Sequence, residues 1–97
     1  MYVLALRVDL HLPEARSLKS KRAVLRPLVD GARRRFGVAV AEVDHHDQWQ
    51  RAEIGIAVVA NTATHAEEVI DEVERWIWST PDLQVLNVDR HWLELDR

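Results

Sequence analysis

The chain opens with a strict alternation: Tyr2, Leu4, Leu6, Val8, Leu10 and Leu12 interleave with Val3, Ala5, Arg7, Asp9 and His11. A period of two sustained over this stretch predicts a first strand with one buried face. Pro13-Glu14-Ala15-Arg16 breaks the pattern, and Ser17 can cap the next element by accepting a hydrogen bond from a first-turn amide. A helix follows to about Arg35, its apolar stripe formed by Leu18, Leu25, Leu28 or Val29, Ala32 and Phe36. Pro27 lies inside that helix, where it forfeits the amide bond to Ala23, so a kink is expected there. Gly37 ends the element.

Val38 to Asp44 and Arg51 to Ala60 read as two strands joined by a few polar residues, the mark of a hairpin. A second helix begins near Thr64, whose spacing to Glu67 suits a capping box, with Asn61 or Thr62 as alternative caps. Ala66, Val69 or Ile70, Val73 and Ile77 repeat at helical spacing, and Pro81 stops the run. A last strand, about Gln84 to Glu94, carries Leu86, Val88, Trp92 and Leu93, with Leu95 just beyond. The order is βαββαβ, which specifies a single ferredoxin-like α+β domain over residues 1–97. Right-handed crossovers give an antiparallel sheet of order 4-1-3-2 with both helices on one face.

The bare sheet face then matters. If Ile54, Ile56 and Val58 point at the helices, Gly55, Ala57 and Val59 look out beside Val3, Ala5, Ala39 and Ala41. Monomers seldom expose large contiguous apolar patches, so a homodimer closing on this open face is expected.

Charge is divided along the chain. Residues 1–51 hold ten Lys/Arg against six Asp/Glu, and residues 52–97 hold three against ten, giving the net charge of -3. The basic excess gathers in Arg16, Lys19, Lys21, Arg22, Arg26, Arg33, Arg34 and Arg35, which allows a local basic patch on an acidic protein. There is no cysteine, hence no disulfide framework or thiolate chemistry, in keeping with a reducing, cytoplasmic setting. Ile54 to Ala60, the longest uncharged apolar run, is far short of the ~20 residues of a membrane helix. No membrane association is expected.

Topology places the end of the first strand, the start of the first helix and the hairpin tip at one edge. The candidate binding edge is therefore Lys19, Lys21 and Arg22 together with Asp44, His45, Asp47, Gln48, Trp49, Gln50 and Arg51. Helix-start amides plus Lys19, Lys21, Arg22 and Arg51 could hold phosphate. The competing assignment is a solvated helix face whose arginines pair with carboxylates of the second helix or a neighbouring subunit. Asp44, His45, His46 and Asp47 carry ligand-type side chains, but neighbours on a strand point oppositely and only a turn would converge them, so no metal site is expected. Trp49 is expected to pack its ring over the sheet end in preference to serving as a stacking platform. The serines and threonines fall at helix boundaries, where capping accounts for them, and no Gly-rich phosphate loop exists, so neither catalysis nor a cofactor is expected. The sheet face lacks the aromatics that a sheet-based RNA reader uses.

Ser17-Leu18-Lys19-Ser20-Lys21-Arg22, then Ala41 through Ala52, then Ile56-Ala57-Val58-Val59-Ala60-Asn61 resemble the YlxP-like family of bacterial proteins. The resemblance implies a ferredoxin-like domain without established activity, whose genes often neighbour those of translation-initiation and ribosome-maturation factors. A noncatalytic accessory domain engaging ribosomal RNA or a translation-related protein is the expectation that follows, with a homodimeric module for a small anion or metabolite as its rival. Two departures stand out. Relatives commonly carry an acidic residue where this chain has Ser20, so a weakened or absent capping box is expected, and they often carry Gln where it has His46, which argues against His46 as a required ligand or base.

Overall fold

The computed structural model describes residues 1–93. Its elements are β1 (Tyr2–His11), α1 (Leu18–Phe36), β2 (Ala39–Asp44), β3 (Arg51–Ala60), α2 (Ala63–Trp78) and β4 (Gln84–Leu93). The expected extension of the last strand to Glu94, and Leu95 with it, lies outside the described residues. The sheet order is β2-β3-β1-β4 with every neighbouring pair antiparallel, the arrangement read from the pattern of elements.

The alternation in β1 puts Leu4, Leu6, Val8 and Leu10 into the core opposite Val58, Ile56, Ile54 and Ala52 of β3. Leu25, Leu28 and Ala32 from α1, and Ala66, Ile70, Val73 and Ile77 from α2, close the core from one side. Burying each Leu, Ile or Val among them contributes about 1.5–3 kcal/mol, which holds the two helices against the sheet.

Each helix end has a local cause. Ser17 Oγ accepts from the Ser20 amide at 3.0 Å, and Ser20 Oγ accepts in return from the Ser17 amide at 3.0 Å and the Arg16 amide at 2.8 Å. The expectation of a weakened capping box is thus corrected. A serine hydroxyl at the third helical position reaches back to the cap without a carboxylate. Gly37, at φ 62°, adopts the left-handed geometry that glycine tolerates, and its amide returns to the Arg33 carbonyl. At α2 the cap is Thr62, accepting from the His65 amide, and Thr64 lies within the helix. α1 continues through Pro27, which sits on its exposed side.

The helices lock together around Trp76. Its indole N–H donates to the Leu28 carbonyl at 3.4 Å, its ring meets Phe36 edge-on, and the Arg35 guanidinium lies 4.3 Å from the ring centre. Gly31 makes the approach possible, because a Cβ there would stand 2.6 Å from Trp76 Cζ2. α2 is tied to β4 by Arg90, which meets Asp71 at 2.8 Å and Glu74 at 3.2 Å. Partial burial acts to lower the Arg90 pKa, but the bonds to these two carboxylates outweigh it and raise it above the ordinary guanidinium value.

Candidate functional site

The hairpin tip and the start of α1 meet as the topology requires, and the contacts are specific. A β-bulge between Glu42 and Asp44 re-aims the end of β2. His45 takes a positive φ of 63°, and the Asp44 carboxylate accepts from the His45 amide at 2.7 Å. Asp and Asn neighbours commonly stabilise a turn in this way. The Gln48 amide donates to the His45 carbonyl, closing the turn, while His46 Nε2 lies 3.1 Å from the Glu42 carbonyl.

Lys21 carries the junction. Only 2% exposed, it sends its ammonium to the His45 carbonyl at 2.7 Å and to Glu42 Oε2 at 2.7 Å. Its burial removes Lys21 from the basic residues expected to hold phosphate. Positions 18, 21, 25, 28 and 32 form one unbroken helical stripe, so the signal was present but was masked by the charge of the side chain.

Gln50 makes the second tie, its amide donating to the Pro13 carbonyl at 3.2 Å and the Ala15 carbonyl at 3.3 Å, while the Leu12 amide donates to the Gln50 carbonyl. Gln50 is itself exposed and spends its side-chain amide on these two loop carbonyls. Trp49 is 53% exposed, in a shallow groove shared with His11, Asp47, Gln48, Gln50 and Arg51. The expected packing of its ring over the sheet end is therefore not found. On the bare face of the sheet, Asp9 joins Arg51 at 3.2 Å and His45 Nε2 at 3.8 Å, and His45 Nδ1 is 3.3 Å from the Gln48 side-chain nitrogen.

The candidate edge thus divides. The side chains of Lys21, Gln50 and Arg51 tie the tip to α1, the loop before it and β1, with His45 beside Asp9 and Asp44 bracing the turn itself, whereas Lys19, Arg22, Asp47 and Trp49 are exposed with no such tie and Gln48 meets only His45. Among the described residues no three His, Asp or Glu side chains converge as a metal set. Five of the six serine and threonine hydroxyls bond at helix ends: Ser17, Ser20 and Thr62 as above, and Ser79 and Thr80 by donating to the Trp76 carbonyl.

A larger feature adjoins this edge. Lys19, Arg22, Arg26, Arg33 and Arg34 line an open groove of about 850 Å³ along the outer face of α1, together with Ala23, Pro27 and a single acid, Asp30. Arg33 is 3.7 Å from Asp30 and also donates to the Val40 carbonyl on edge strand β2. For Lys19, Arg22, Arg26 and Arg34, no carboxylate among the described residues lies within ion-pair distance. Three of the five acids of α2 are committed elsewhere, Asp71 and Glu74 to Arg90 and Glu72 to Arg75, and Glu68 faces His65 at 3.9 Å. Pairing between the two helices, the bland explanation for the basic face, is not what these residues do.

Comparison with known proteins bears on the whole chain. The family model described as "Protein of unknown function (DUF503)" matches residues 3–90. The chain belongs to this family. A curated relative in it, the uncharacterized protein YlxP of Bacillus subtilis (strain 168), is 33% identical over 79 residues, covering 81% of this chain and 86% of the relative. The YlxP-like resemblance read from the helix-start and hairpin motifs is thereby established, and membership in the DUF503 family carries no activity with it. Among solved structures, the de novo designed protein Foldit4 aligns at a TM-score of 0.56 with 11% identity, covering 99% of this chain and 100% of its own. A designed protein with ferredoxin fold, LFR1 1, aligns at 0.51 with 14% identity over 98% of this chain and 88% of its own. At such identities the likeness speaks to the fold alone. No helix among the described residues is long and apolar enough to cross a membrane.

Proposed function

We propose that this chain is a noncatalytic accessory domain that engages RNA, with ribosomal RNA the first candidate, through phosphate contacts along the outer face of α1. The observation that carries this reading is the groove lined by Lys19, Arg22, Arg26, Arg33 and Arg34 with one acid, on a protein whose net charge is -3. A cationic row in which four of five cations have no carboxylate partner among the described residues attracts a polyanion by releasing counterions. Lys19 to Arg34 spans about 22 Å of helix axis, which suits an extended phosphate chain better than a single small anion. The open groove likewise offers no enclosure for a metabolite. Lys19 and Arg22 bring the row to the hairpin end, so the accessible part of the candidate edge is its terminus.

Cosedimentation with ribosomal subunits tests the proposal. Binding that falls steeply as salt is raised, and that is lost on reversing Arg22 and Arg26 to Glu, is the expected result. Binding that ignores salt or survives the reversal would contradict it. Thermal stabilisation by small phosphate metabolites without any subunit association would favour the rival small-anion module.

A further inference from the structure

The face of the sheet opposite the helices is ordered in rows that run straight across the strands. Val59, Val3 and Leu93 form one row; Ala39, Ala57, Ala5 and His91 the next; Ala41, Gly55, Arg7 and Asp89 a third; Glu53, Asp9 and Asn87 a fourth. Apart from His91 at the β4 end, the first two rows and the β2–β3 side of the third are aliphatic, and on β1, β2 and β3 they are small. A shallow depression of about 440 Å³ lies over Ala5, Ala39, Ala41, Val43, Gly55 and Ala57, among others. Gly55 keeps it flat, because a Cβ there would sit 3.0 Å from Val43 Cγ1, so Val43 lies across the backbone of β3. Val59 is 65% exposed at the rim.

We propose that this face is the contact between two copies of the chain, packed sheet against sheet in an isologous dimer. Three features select a second copy as the occupant. The polar rows carry both signs, with Arg7 set between Glu53 at 3.9 Å and Asp89 at 3.4 Å, and Arg51 beside Asp9 at 3.2 Å. A surface of mixed sign can oppose itself without like-charge conflict, whereas it offers a polyanion no excess of cations. On β1, β2 and β3 the apolar rows hold only Ala, Gly and Val, with His91 and Leu93 of β4 at their ends and no Phe, Tyr or Trp, which suits close sheet-to-sheet packing and not base stacking. Four strands at about 4.8 Å spacing and ten residues at about 3.3 Å give a flat footprint of roughly 600 Å² per copy, enough for the low end of stable interfaces. The helices lie on the other side, so each copy keeps its α1 groove exposed, and the pairing does not depend on the RNA reading.

The intact chain measured by sedimentation velocity over a range of concentrations should show twice its 11.2 kDa mass. Ala57→Glu, at the centre of the apolar rows, should raise the dissociation constant about 100-fold or more, since it buries an unpaired charge. Val59→Lys, at an already exposed position, should do the same and guards against a folding failure of the first variant; Arg26→Gln on α1 should leave the dimer intact. As a second readout on the unaltered protein, a soluble paramagnetic probe should spare the amide signals of Ala5, Ala39 and Ala57 while broadening those of Arg22 and Arg26. A monomer at all concentrations, a dimer indifferent to both face variants, or uniform broadening of the open face would overturn the proposal.

Discussion

Lys21 fixes the hairpin tip through one buried ammonium between the Glu42 carboxylate and the His45 carbonyl. Removing only the cation leaves a half-buried carboxylate and a carbonyl without their partner, so Lys21→Met should lower unfolding free energy by about 3 kcal/mol in urea titration. Lys21→Met combined with Glu42→Leu should recover most of that loss, because an apolar pair of similar volume replaces the ion pair. An unaffected Lys21→Met protein would show that the contact does not hold the tip. The position was legible in the helical stripe of the sequence, but hydrophobic periodicity assigns charged residues outward by default, and only a partner carboxylate on another element reverses that assignment. Glu42 is 21 residues away in the chain, so nothing local announced it. The tie from Gln50 was hidden for the same reason, since the Pro13 and Ala15 carbonyls that it bonds lie 37 and 35 residues away in the chain.

At the scale of elements the pattern was far more informative. The period of two in β1 and the caps at Ser17 and Gly37 are local devices, and the structure uses them as read. What the pattern could not supply was interlocking between elements. Gly31 reads as a weak point of α1, yet it admits the edge of Trp76. Gly31→Ala should therefore destabilise by about 1–3 kcal/mol through overpacking, although alanine is the better helix former by about 1 kcal/mol. Thermal unfolding checks this, and an unchanged or higher midpoint would mean that Trp76 can move aside. Ser17→Ala should cost about 1 kcal/mol, since it removes the acceptor for the Ser20 amide.

For the molecule as a whole, the decisive feature is the distribution of charge over three surfaces. The outer face of α1 is basic, α2 carries Glu67, Glu68, Asp71, Glu72 and Glu74, and the bare sheet face mixes both signs. The count of charges shows the basic and acidic halves but not that Asp71, Glu72 and Glu74 of α2 turn to Arg75 and Arg90 while Lys19, Arg22, Arg26 and Arg34 of α1 have no carboxylate partner among the described residues. Amide exchange should be slowest in β1 and β3, the two central strands, and faster in β4, an edge strand with no fully buried residue in its described length. Salt-dependent binding of a labelled single-stranded RNA, followed by fluorescence anisotropy, reads the role of α1 most directly. With four unpaired cations on phosphates, the logarithm of the association constant should fall against the logarithm of salt with a slope of about -3. Replacing Arg22, Arg26 and Arg34 together by Gln should flatten the slope to about -1 and weaken binding more than tenfold. A slope near zero, or one that the triple replacement leaves unchanged, would contradict the assignment of RNA binding to this helix.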